Sequence, residues 1–204
     1  MRIGLIFGSF NPVHNGHIAI GKRVLDEGLV DCVHYVIAKQ NPFKPNYGVT
    51  FEDRERMLAI ALITPVMEGY KMFAQTIEKF TNENHTFNTL NSLKDILGHD
   101  NEYVIICGID MYNEIPLWYH GQEILDNYQF VVFKRTGYGN TTVGPIYLET
   151  NGQESISSST IRKIILDHNN GRLKDSLTDA LDGVINMSVL SYIQQFNIYW
   201  MDEQ

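Results

Sequence analysis

The chain has 204 residues, of which 44% are hydrophobic and 20% charged, a balance suited to one globular domain, 1–204, with a buried core. Its 16 Lys and Arg are outnumbered by 24 Asp and Glu, giving a formal net charge of −8, and no basic run stands out. This argues against nucleic acid as a partner, since a polyanion binder needs a basic face, but leaves room for a small cationic pocket. No apolar stretch has the length of a membrane span, so no membrane role is expected.

The N-terminal run RIGLIFG (2–8) ends in Gly8-Ser9, lacks the cleavage pattern of a signal peptide and reads as a first buried strand. Segment 16–29 sets Ile18, Ile20, Val24 and Leu25 among Lys22, Arg23, Asp26 and Glu27, the pattern of an amphipathic helix closed by Gly28. CVHYVIA (32–38) is β-branched and aromatic and predicts a second strand, which completes a βαβ unit. A helix at 51–63, a strand at 70–74, a helix at 86–97 ended by Gly98 and a buried strand at 103–108 follow. Strands at 129–135 and 145–150 and helices at 158–168 and 186–196 finish the pattern. Cys32 and Cys107 lie in apolar strand runs and read as reduced core residues, which points to a cytoplasmic protein.

Alternating strands and helices predict an α/β fold: a Rossmann-like doubly wound parallel sheet with flanking helices and a small C-terminal helical part at about 157–204. In such sheets ligands bind beyond the carboxyl ends of the strands, so the turns that follow each strand hold the candidates.

The first such turn is Gly8-Ser9-Phe10-Asn11-Pro12-Val13-His14-Asn15-Gly16-His17. It is neither a Walker loop nor a GxGxxG fingerprint, yet it has the parts of a phosphate site. Gly8 and Ser9 permit close backbone approach, and the turn leads into a helix start where amides and dipole favour an anion. With Gly16 opening the helix, His14 and His17 can face one phosphate and donate hydrogen bonds to it, more strongly when protonated. The pair could instead be surface residues or part of a metal site, although two ligands are too few for structural zinc. A second anion cup is offered by Ser157, Ser158 and Ser159 at the start of the helix at 158–168, with Arg162 one turn in; a plain serine cap beside a solvated arginine is the alternative.

The segment GSFNPVHNGH resembles the signature of the H-x-G-H nucleotidyltransferase superfamily, and in particular of the bacterial nicotinate mononucleotide adenylyltransferases. The resemblance places the ATP phosphates on His14 and His17. Phosphopantetheine adenylyltransferases usually carry Thr at the first of these positions, so His14 favours the pyridine-nucleotide branch. Ile156-Ser157-Ser158-Ser159-Thr160-Ile161-Arg162 resembles the second signature, I-S-S-T-x-I-R, with Ser159 where Thr is usual. Asn41-Pro42-Phe43-Lys44 resembles the segment whose lysine neutralises phosphate charge, and Thr86-Phe87-Asn88-Thr89 a helix start beside the pyridine nucleotide. Gly108-Ile109-Asp110 resembles the G-x-D motif, in which Asp110 would hold the adenosine ribose or help orient magnesium. Trp118 stands where the family stacks a tryptophan on the pyridine ring, and Arg135 where an arginine lies beside the nucleotide.

The resemblance thus implies His14, His17, Lys44 and Arg162 as the catalytic set. For ATP it implies Gly8, Ser9, Phe10, His14, Gly16, His17, Gly108, Asp110, Ile156, Ser157, Ser158, Ser159 and Arg162; for the mononucleotide, Asn11, Lys44, Thr86, Thr89, Trp118 and Arg135. The implied reaction is adenylyl transfer from ATP to nicotinate mononucleotide in NAD biosynthesis, with Mg2+ held by the ATP phosphates and water and with no protein metal site. Rival acceptors are nicotinamide mononucleotide and, further off, phosphopantetheine or a cytidylyl substrate; a non-catalytic nucleotide-binding module is the alternative of another class. Arg54 and Arg56 read as surface ion pairs, and His34, His85, His99, His120 and His168 as structural or solvated. The tail at 198–204 carries aromatics that suit either internal packing or a homo-oligomer contact.

Overall fold

The computed structural model describes residues 1–39, 49–80, 85–134, 145–149 and 157–200. Six strands, β1 (Arg2–Gly8), β2 (Cys32–Ile37), β3 (Met72–Gln75), β4 (Glu102–Gly108), β5 (Gln129–Lys134) and β6 (Ile146–Glu149), form one sheet in the order β3-β2-β1-β4-β5-β6. Every neighbouring pair is parallel, as expected of near-continuous apolar strands covered on both faces. The direction of winding reverses between β1 and β4, whose pairing runs from Arg2 opposite Glu102 to Leu5 opposite Ile105. A crevice therefore opens at the carboxyl ends of these two strands.

Alternation along each strand divides the core. One face carries Val33, Tyr35, Ile37, Val104, Ile106, Val131 and Phe133. It packs against α1 (Asn15–Asp26), α2 (Phe51–Met67) and the C-terminal helices α6 (Ser158–Asn169), α7 (Leu177–Leu181) and α8 (Met187–Gln195). The other carries Ile3, Leu5, Val36, Ile105, Phe130 and Val132 under α3 (Thr86–Leu97), α4 (Ile109–Glu114) and α5 (Gly121–Asn127).

The predicted strands and long helices are present, with shifts that have local causes. α2 continues through Pro65 to Met67 and stops before Gly69, which adopts φ 97°. Pro65 lies in the last turn, where it removes one helical N–H donor, and its ring is buried. β3 begins at Met72, after a turn in which the Tyr70 amide bonds to the Pro65 carbonyl. α4, α5 and α7 have 6, 7 and 5 residues and were not predicted, because so short an element shows no helical period.

Candidate active site

The loop after β1 is built by close packing. A side chain on Gly8 would meet the Phe10 ring at 3.0 Å, so the absent side chain makes room for that ring rather than for a ligand. Phe10 adopts φ 47°, an unfavourable conformation for a bulky residue, held by burying the ring edge-on to His17 and Tyr35. The Phe10 ring is therefore core, and only its main chain is left for a nucleotide contact. Further along, a Cβ on Gly21 would lie 2.0 Å from the Tyr35 hydroxyl. This glycine lets α1 sit close on β2, and the same hydroxyl donates to the His17 carbonyl at 3.2 Å.

His14 is the N-cap residue of α1, and His17 occupies its third position. Their rings stack with centroids 3.6 Å apart. The His14 amide donates to His17 Nδ1 at 3.2 Å, which makes Nδ1 an acceptor and puts the proton of the neutral His17 ring on Nε2, a donor for an anion. His14 is buried, and desolvation pulls its pKa down to about 4, so without an anion nearby it is neutral at pH 7. Its Nδ1 is buried with no hydrogen-bond partner among the described residues, a costly state for an ordinary core histidine. The Asn15 amide, which the helix-start reading left for an anion, is committed to the Val184 carbonyl at 2.9 Å. Anion binding at this start therefore rests chiefly on the imidazoles.

The second motif docks directly on the first. Ser158 Oγ donates to the Pro12 carbonyl at 2.9 Å across 146 positions of sequence, and Arg162 Nη1 donates to the Asn11 carbonyl at 2.6 Å. Arg162 Nη2 reaches Ser159 Oγ at 3.2 Å, and Ser157 caps α6 by accepting from the Thr160 amide at 3.2 Å. No acidic side chain occupies the first turn of either helix, so nothing at these starts repels an anion. Asn11, His14, Gly16, His17, Ser157, Ser158, Ser159 and Arg162 thus form one neighbourhood beyond β1.

Gly108 ends the adjacent β4 and caps α4; a Cβ there would meet nothing within 4 Å, so this glycine does leave open space. Asp110 is exposed in the first turn of α4. Thr86 opens α3, and the half-buried Trp118 follows a 3₁₀ turn at Ile115–Leu117. Ring contacts of Phe87 with His120 (4.4 Å) and of His85 with Tyr119 (4.7 Å) bring these two segments together. Thr89 departs from its expected role. Its hydroxyl is buried and donates to Glu78 Oε1 at 2.9 Å, so it has no proton to offer a substrate carboxylate. Lys44, Arg135 and Ile156 lie outside the described residues. Lys134, beside Arg135 in sequence, is buried with its ammonium 3.9 Å above the Tyr147 ring.

Two functional neighbours escaped the sequence reading. Arg54 is not a surface residue: only 6% exposed, it donates to the carbonyls of Ser9 (2.9 Å), Ala38 (2.7 Å) and Lys39 (2.9 Å), tying the loop after β1 to the end of β2. Glu78 is buried too, accepting from the Lys39 amide at 2.8 Å and from Thr89. Burial raises the pKa of its carboxyl, opposed by those two hydrogen bonds and by the Arg54 charge. A signal for Arg54 did exist, since it shares the helix face of Leu58, Ala61 and Pro65, all buried.

The described residues hold no cluster of three or more His, Cys, Asp or Glu able to grip a metal ion. Burial raises the thiols of both cysteines, Cys107 to about 12, which keeps them protonated and unreactive.

Residues 5–164 match the family described as Cytidylyltransferase-like. A probable nicotinate-nucleotide adenylyltransferase of Cytophaga hutchinsonii is 34% identical over 143 residues, which cover 69% of this chain and 72% of that protein. The nicotinate-nucleotide adenylyltransferase of Bacillus subtilis is 29% identical over 198 residues, 97% of this chain and 98% of that protein. Among solved structures, Plasmodium falciparum nicotinic acid mononucleotide adenylyltransferase complexed with NaAD superposes with a TM-score of 0.79 over 98% of both chains, at 18% identity, a likeness of fold.

Proposed function

Because the chain belongs to the cytidylyltransferase-like family, and within it to the nicotinate-nucleotide adenylyltransferases, we propose that it transfers the adenylyl group of ATP to nicotinate mononucleotide. The observation that carries this reading is the docking of Ser158 and Arg162 on the carbonyls of Pro12 and Asn11, which brings together the two helix starts that the motifs mark for phosphate.

In this reaction an oxygen of the mononucleotide 5′-phosphate attacks the α-phosphorus of ATP; the new P–O bond forms as the bond to pyrophosphate breaks. Both reactants are anions, so the protein's work is to hold them in line and offset their repulsion. His17, with its proton on Nε2, donates to a phosphate oxygen. His14 gains a partner for its unsatisfied ring when the triphosphate arrives, and that charge raises its low pKa and draws a proton onto it. Arg162 stiffens the Asn11 turn and adds permanent positive charge; Lys44 would add another on the acceptor side. No covalent intermediate is required. Mg2+ would arrive on the ATP phosphates, where it would neutralise charge on the leaving pyrophosphate.

The acceptor pocket would lie between the α3 start and the segment at 118–120, with Trp118 against the pyridine ring and Thr86 near its substituent. The test is pyrophosphate release from ATP by purified protein, with nicotinate mononucleotide and nicotinamide mononucleotide compared. The reading expects release with the first in clear excess over the second. Preference for the amide would change the acceptor, and ATP binding without release with either would leave a nucleotide-binding module.

A further inference from the structure

Beyond α8 the chain turns back through Asn197 and Tyr199, both at positive φ, with the Ile198 amide bonded to the Ile193 carbonyl. This turn drives the Tyr199 side chain inward, where its hydroxyl meets Asn11 Oδ1, 188 positions away in sequence. The Arg162 and Arg54 guanidinium groups also act on this phenol, while burial keeps it protonated. Its hydroxyl donates to the Asn11 side-chain carbonyl oxygen. Asn11 is therefore gripped twice: its main-chain carbonyl by Arg162 and its side-chain carbonyl by Tyr199. Among the described residues no hydrogen bond uses Asn11 Nδ2.

We infer that Tyr199 is a positioning residue: by holding Asn11 Oδ1 it fixes the side-chain amide so that the NH2 group, and not the carbonyl, is presented to the phosphate of the mononucleotide. This rests on the adenylyl-transfer reading. A primary amide is two-faced, since its NH2 attracts a phosphate oxygen and its carbonyl repels one. Unrestrained, it samples both; with the oxygen held, only the attractive face remains, at no ordering cost when the substrate binds.

Tyr199→Phe removes the hydroxyl and keeps the ring. It is expected to raise the KM for the mononucleotide about 10-fold, the scale of one misdirected hydrogen bond to a charged group, while the KM for ATP changes less than about 2-fold. Asn11→Ala should show the same selectivity, and adding Tyr199→Phe to it should cost nothing more. Unchanged kinetics in Tyr199→Phe, an equal effect on both substrates, or an undiminished effect in the Asn11→Ala background would each overturn the inference. A second measurement does not depend on turnover. The Asn11 side-chain amide pair in a 15N spectrum, assigned by its loss in Asn11→Ala, should shift or broaden in Tyr199→Phe, and a pair left in place would overturn the inference. If the wild-type chain releases no pyrophosphate while the amide pair responds, the functional reading fails and the positioning contact stands.

Discussion

The starts of α1 and α6 are joined through Ser158 and Arg162 and are built on different plans. α6 is locally complete: Ser157 caps the Thr160 amide, and Arg162 reaches back to Ser159. α1 begins with His14 at a position where Ser, Thr, Asp or Asn is preferred, and the His14 ring keeps a buried nitrogen without a partner. Locally α1 has the bond from the His14 amide to His17 Nδ1, and the turn before it is held from elsewhere. Arg54 holds the Ser9 carbonyl, Ser158 the Pro12 carbonyl and Arg162 the Asn11 carbonyl, while the Asn15 amide rests on Val184. A helix start can keep a buried His14 ring nitrogen for a ligand when the rest of the molecule carries its support.

The sharpest way to break this contrast is to remove the support rather than the site. Arg54→Leu would strand three carbonyls, and should lower the unfolding free energy by about 3–5 kcal/mol in urea titration. A loss under about 1 kcal/mol would mean the loop is held some other way. His17→Ala should do the reverse, lowering kcat by roughly 10²–10³-fold with a much smaller change in urea midpoint.

Acid provides a third probe. His14 has its pKa lowered to about 4 in the folded chain against an ordinary 6.5, so below pH 6.5 the unfolded chain takes up a proton that the folded chain refuses. Stability is thus fully present above pH 6.5 and is lost as pH falls toward 4, by up to about 3 kcal/mol from this group. In His14→Ala, thermal unfolding from pH 7 to 4 should show a shallower decline. The smallest effect belongs to the self-sufficient start: Ser157→Ala removes a cap and should cost about 1 kcal/mol of stability, with less loss of turnover than His17→Ala.

Much of this arrangement was legible in the sequence wherever a local pattern carried it. The α3 limits at Thr86 and Leu97 match the predicted helix, and His14 and His17 stand at the turn that their spacing indicated. The roles of Arg54, Glu78 and Tyr199 were not legible. Each acts on main-chain or side-chain oxygens brought near only by tertiary folding: Arg54 on the ends of two strands, Glu78 on Lys39 and Thr89, Tyr199 on Asn11. Arg54 was masked by its charged neighbours Glu52, Asp53, Glu55 and Arg56, although its helical phase placed it with Leu58. The Thr89 hydroxyl bond is hidden for the same reason, because its partner Glu78 lies outside the helix that carries it.

The most direct test of the shared cradle is a crystal structure of this chain with a non-hydrolysable ATP analogue and Mg2+. The account predicts the triphosphate bridging the two helix starts, with its oxygens within hydrogen-bond distance of the His14 and His17 rings and of the first turn of α6. A nucleotide whose phosphates touched only one start, or neither, would contradict it.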